Sequence, residues 1–247
     1  MKILLLISFV TIAAVGHGQE RYPFEKFQTI KITEFKDWKV FEKPDRTHFT
    51  QTIPNFFSDT DTLTIQLTSF KAKWDSSYIR LFRNKEQIQK IFEPMFFIDT
   101  NVLSDSVRTL DVNGDNLADV KLLIPYMGNG LASLNQRVIY LFQKDGGLFT
   151  KISYLDKMGA HTVERDFDGD NIFEILTMTL RDYESHNYWT FNIYNFKDGE
   201  LVNQNARFDY PIMIQYLYRE NYKVTDKISP LKMKAFGDVR PKEYSRE

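Results

Sequence analysis

No cysteine occurs among the 247 residues. That absence excludes a disulfide scaffold, a thiolate metal site and a cysteine nucleophile, and with them lipid attachment through a cysteine. Glycine and proline are also sparse, 11 and 8 residues, which argues against a disordered or low-complexity chain. Charge of one sign is lacking too: the formal net charge is −1, and no basic excess marks a nucleic-acid-binding surface. Beyond the N-terminus no apolar run approaches the ~20 residues that a bilayer-spanning helix needs. Catalytic motifs are missing as well, with no HExxH, GxSxG or P-loop pattern. An exported chain without disulfides draws its stability from a core, from metal ions, or from both.

Export is what the first residues suggest. Lys2 precedes the apolar run Ile3–Val15, and small residues follow at Gly16 and Gly18. A basic start, a short apolar stretch and a small-residue exit read as a cleaved signal peptide over residues 1–18, so the protein is expected to be secreted or periplasmic. Residues 19–247 are then expected to form a single β-rich domain.

Aromatic residues are abundant, at 15%, with 21 Phe and 13 Tyr, a composition that suits strands. Alternating apolar positions predict strands at Thr29–Phe35, Thr62–Phe70 and Ser77–Phe82. One short helix is predicted at Asn84–Phe92. There Asn84 and Gln87 have capping-box spacing, and Ile88, Ile91 and Phe92 share a helical face. A further strand is expected at Arg207–Tyr218, and the charged end from Phe236 onward is expected to fray.

The second half repeats itself. The first unit, about 103–155, holds the acidic loop DVNGDNLAD, the strands VKLLIPY and RVIYLFQ, the turn Lys144-Asp145-Gly146 and the strand LFTKISYL. The second unit, about 160–205, holds DFDGDNIFE, ILTMTL, YWTFNIYNF, the turn Lys197-Asp198-Gly199 and a strand at Glu200–Asn203. Asp-Gly turns between alternating apolar residues are strong hairpin signals. Each unit is the size of one antiparallel propeller blade. The expected class is therefore all-β, with propeller-like blades in a small or incomplete β-propeller and at most one short helix.

Asp111, Asn113, Asp115 and Asp119 take positions 1, 3, 5 and 9 of the first loop, and Asp166, Asp168, Asp170 and Glu174 take the same positions in the second. Alternate residues of a curled loop point inward, so their oxygens converge. The backbone carbonyls of Leu117 and Ile172, at position 7, are expected to add one oxygen each. Such an all-oxygen set suits Ca2+, which takes six to eight oxygens at about 2.3–2.6 Å, better than zinc, copper or magnesium. Glycine at position 4 and asparagine at position 6 suit a left-handed bend. An EF-hand would need Gly at position 6 and Glu at position 12; position 12 is Leu122 or Thr177. The competing reading is a pair of solvated Asx turns. Two Ca2+ sites are expected, the second tighter because it holds four acidic groups against three.

The loops DVNGDNLAD and DFDGDNIFE resemble the calcium loops of FG-GAP/VCBS repeats, the blade units of integrin-α-like propellers, over about Leu110–Asn205. More weakly, DVNGDNLADVKLLIPYMGNG followed by YLFQKDGGLF resembles small exported lysozyme inhibitors of bacteria. The resemblance implies a non-catalytic exported binding module with structural calcium and a protein or glycan partner. An inhibitor or immunity protein acting through Met127–Gln136 is the alternative. A secreted hydrolase is a weaker one, since His48, His161 and His186 are isolated and no nucleophile accompanies the His161–Asp166 spacing. Trp38, Trp74 and Trp189 are expected to fill cores and cross-strand positions more than a ligand site.

Overall fold

A computed structural model of the protein describes residues 22–58, 60–73, 76–93, 107–125, 129–157, 162–216 and 222–247. The predicted signal segment and His161 lie outside them, as does Trp74. The fold is all-β, built from antiparallel sheets stacked in three layers; no closed ring of blades is formed among the described residues.

The first layer is a five-stranded meander: β3 (Lys39–Glu42), β4 (Arg46–Ser58), β5 (Asp61–Phe70), β6 (Tyr78–Arg83) and β7 (Glu86–Phe92). The second has six strands in the order β17-β11-β10-β9-β8-β2, comprising β2 (Thr33–Phe35), β8 (Val107–Leu110), β9 (Asp119–Pro125), β10 (Asn135–Gln143), β11 (Phe149–Lys157) and β17 (Lys242–Arg246). The third comprises β13 (Ile175–Tyr183), β14 (His186–Lys197), β15 (Glu200–Asn203) and β16 (Ile212–Gln215). A two-stranded clip joins β1 (Gln28–Thr29) to β12 (Arg165–Asp166).

The central strands of the middle sheet, β9, β10 and β11, are buried on both faces, which is why VKLLIPY and RVIYLFQ read as near-continuous apolar runs. Val120, Leu122 and Ile124 of β9, with Ile139 and Leu141 of β10, pack against Phe49, Ile65, Leu67 and Leu81 of the first layer. The alternate residues Leu123, Val138, Tyr140 and Phe142 pack against Ile175, Tyr194 and Leu201 of the third. The third layer's other face holds Met178, Trp189, Phe191 and Ile193 and is covered by Phe24 and Tyr210. The outermost face of β4 is wetter, and there burial alternates along the strand as the sequence pattern requires.

Two buried ion networks lie between the layers. Glu93, just after β7, accepts from Arg137 Nε at 2.9 Å and Ser153 Oγ at 2.7 Å, and its other contact is Lys151 Nζ at 2.9 Å. On the opposite face Lys121 Nζ meets Glu164 Oε1 at 2.6 Å, and the Tyr140 hydroxyl donates to the same carboxylate.

Four local expectations are corrected. The helix predicted at Asn84–Phe92 is strand β7. Asn84 sits at φ 56° as a turn residue, its side chain accepting from Thr62 N and donating to Asp61, so it caps no helix. A β-bulge explains the false helical period. Leu81 pairs with Gln89 and Phe82 with Gln87, so Ile88 is the extra residue, and apolar Ile88 and Ile91, three apart, both reach the core. Thr29–Phe35 is not one strand: β1 pairs with β12 and β2 with β8. Arg207–Tyr218 opens in a helical turn, α1 (Asn205–Phe208), followed by Asp209 at φ 59°; only β16 is strand. The C-terminal residues do not fray: β17 pairs with β11, and Lys151 and Glu247 exchange backbone bonds at 2.7 and 3.1 Å. A second helical turn, α2 (Pro230–Met233), covers Tyr188 and Met213.

Candidate metal centre

Both acidic loops fold alike and share one set of carboxylate-to-backbone bonds. In each, the residue just before position 1 lies in a short strand and pairs with position 9: Leu110 with Asp119 in one loop, Arg165 with Glu174 in the other. The position 1 carboxylate accepts the N–H groups of positions 4 and 6. Asp111 takes Gly114 at 2.9 Å and Asn116 at 3.0 Å, and Asp166 takes Gly169 at 2.6 Å and Asn171 at 3.1 Å. Position 5 accepts from position 7, Asp115 from Leu117 N at 2.8 Å and Asp170 from Ile172 N at 2.9 Å. Position 9 accepts from position 2, Asp119 from Val112 N at 3.0 Å and Glu174 from Phe167 N at 2.9 Å. Gly114 and Gly169 lie at φ 71° and 83°, and Asn116 and Asn171 at φ 65° and 64°, the left-handed bends that the sequence pattern called for.

These Asx-type bonds use part of each carboxylate, and the two loops differ in what remains. In the first, Asp119 Oδ1 accepts a further bond from Gln143 N at 3.0 Å, so both of its oxygens are occupied by main chain. Asn113 donates to Asp115 Oδ2 at 2.8 Å, and its own Oδ1 is buried without a partner. In the second, oxygens of Asp166, Asp168 and Glu174 lie within 4.8 Å of one another. Glu174 is wholly buried, and its Oε1 has no hydrogen-bond partner. Asp168 forms an ion pair with Arg207 of α1, a cation that the strand reading of that segment concealed.

Burial pushes the Asp119 carboxyl up to about 8, with the negative charges of Asp115 and Asp111 adding to it. Burial also pushes Glu174 up to about 7, and Asp168 adds to the shift. A cation in the second loop would offset the crowding of the Glu174 and Asp168 carboxylates. The donor set is all oxygen, and buried Glu174 Oε1, left without a partner, points to a hard cation of the Ca2+ class.

The loops touch. Phe173 N donates to Val112 O at 2.9 Å, and a side chain built on Gly114 would stand 3.2 Å from Asn171 O. With β1 they flank a cleft of about 340 Å3 lined by Thr29, Lys31, Asp111, Asn116 and Phe173.

The other candidate residues are dispersed. His48 bonds Thr68 Oγ1 at 2.9 Å across two strands of the outer sheet, and burial lowers its proton affinity. His186 is exposed at the start of β14. Trp38 packs on the first core and Trp189 belongs to the third. Of the Met127–Gln136 stretch, residues 127 and 128 lie outside the described residues. Gly130–Leu134 is a 3-10 turn, and Gln136 is already in β10.

Fold and site define the class: an all-β protein of stacked antiparallel sheets, carrying a duplicated acidic loop at the entry to two of them. No family model matches the chain, and no curated protein or solved structure matches it either.

Proposed function

We propose that this is an exported calcium-binding β-repeat protein of the FG-GAP/VCBS type, a non-catalytic module in which the ion is structural. One observation carries the reading: the Asp166, Asp168 and Glu174 oxygens converge within 4.8 Å, and buried Glu174 Oε1 is left without a hydrogen-bond partner. Asp170 and the Ile172 carbonyl complete the second site. Asp111, Asn113, Asp115, the Leu117 carbonyl and Asp119 form the first, which is weaker because Asp119 is already saturated by two backbone N–H groups. The ion ties the loop to the strand that follows, and so fixes the third sheet against the middle one. At 100-fold excess over its dissociation constant it stabilises by about 2.7 kcal/mol per site. Differential scanning calorimetry in Ca2+ and in chelator tests this, with titration calorimetry giving the ion count. A melting temperature that does not respond to millimolar Ca2+ would sink the proposal.

A further inference from the structure

A second cleft, about 360 Å3, opens between the end of β11 and β13, and none of its lining residues belongs to either acidic loop. Its volume falls within the range of small-molecule sites. Leu155, Met178 and Leu180 give it an apolar wall. Five charged side chains face it, and they do not cancel locally. Arg181 is paired with Asp238. Asp156 is buried and already accepts from Met178 N at 2.7 Å and from the Thr162 hydroxyl at 3.3 Å. Lys157 and Lys242 remain. Among the described residues Lys157 Nζ donates to neutral oxygens, Asn135 Oδ1 at 2.5 Å and Leu131 O at 3.0 Å. Lys242 forms no ion pair among the described residues.

We propose that this cleft binds a small organic anion, a phosphate or carboxylate head on a short apolar body. The head sits between Lys157 and Lys242, and the body lies along Leu155, Met178 and Leu180. The two lysines reach the cleft from different strands, β11 and β17, whose backbones are paired at Leu155 and Lys242. Their mutual repulsion is felt: burial, and then Lys242, lowers the proton affinity of Lys157. An anion between them relieves that repulsion, and the neighbouring Arg181–Asp238 pair closes one side of the site.

Hexyl phosphate and inorganic phosphate are the probes, titrated by calorimetry against the full chain in chelator, so that calcium plays no part. Hexyl phosphate is expected to bind more tightly than inorganic phosphate. Lys242→Gln and Lys157→Gln should each weaken it roughly tenfold or more, as loss of a charged hydrogen-bond donor does. Lys242→Arg should retain binding. Since Lys157→Gln also removes the bonds to Asn135 and Leu131, amide chemical-shift mapping of the unaltered protein supplies a second readout, with shifts expected at Met178 and Leu180. The proposal is overturned if neither probe binds at millimolar concentration, if both Gln variants bind like the parent, or if the shifts fall elsewhere. Equal affinity for the two probes would overturn the apolar half.

Discussion

The backbone N–H of Phe173 donates to the carbonyl of Val112 at 2.9 Å, fastening the second acidic loop to the first through main chain alone. Because the bond involves no side chain, the loops are joined whichever residues occupy them. Strain in one is therefore passed to the other at the neighbouring contact between Gly114 and Asn171.

Gly114→Ala and Gly169→Ala separate conformational strain from that contact. Both glycines have positive φ, but an added methyl at Gly169 meets open space, whereas at Gly114 it meets Asn171 O at 3.2 Å. Urea denaturation in chelator is expected to show a loss of roughly 1 kcal/mol for Gly169→Ala and roughly 2 for Gly114→Ala. Equal losses would mean that the loops do not press on each other.

Arg207 neutralises Asp168 in the ion-free loop and so competes with any cation there. Half of the Arg207 side chain is exposed (52%), and an exposed pair is worth no more than about 1 kcal/mol. Arg207→Ala should therefore tighten Ca2+ binding up to about fivefold by titration calorimetry. Unchanged or weakened binding would show that the ion does not use Asp168.

Glu93→Gln strands Arg137 and Lys151 in the interface between the first two layers, where Glu93 is wholly buried. Breaking a buried ionic group by removing one partner costs roughly 3–5 kcal/mol. Chemical denaturation should show that loss, while Glu34→Gln, whose partners Arg108 and Lys36 are both more exposed, should lie within about 1 kcal/mol of the parent.

Asp156 gives a pH dependence of definite sign. Burial raises its carboxyl to about 7, above the 3.8 of an ordinary aspartate. Between those values the unfolded chain gives up the proton and the folded chain keeps it. This group therefore makes stability fall as pH rises from about 4 to 7, and its effect is flat outside that window. At about 1.4 kcal/mol per pKa unit the loss has an upper bound of roughly 4 kcal/mol. Asp156→Asn, which can still accept from Met178 N, should make the fall of the melting temperature across that range shallower, the raised carboxyls of Glu174 and Asp119 supplying the remainder. A slope identical to the parent's would refute this.

Much of this was legible because period-2 patterns and Asp-Gly turns are local signals. Glu200–Asn203 is a strand as expected, and Asp198-Gly199 is the hairpin turn, both residues at positive φ. The loop geometry was legible for the same reason, since glycine and asparagine at fixed positions dictate left-handed bends. What escaped depends on partners far along the chain. The bulge at Ile88 imitates a helical period, and β17 is polar and finds its place only through β11. Arg207 meets Asp168 only because a helical turn carries it there. Lys121, Arg137 and Lys151 did leave a sign, as charges inside strands otherwise apolar. Their carboxylate partners, Glu164 and Glu93, could be found only in three dimensions.

A middle sheet whose central strands have no wetted face constrains how the chain reaches this state. Its strands β9 and β10 have nowhere to rest until both neighbours arrive, and the bonds that bring them together span long stretches, Gln89 to Phe149 and Phe92 to Glu247 among them. Closing such distant contacts is slow, since the entropy is lost before the contacts form. The protein should thus fold slowly and all at once, and a chain deprived of either outer sheet would expose a row of apolar side chains and tend to aggregate.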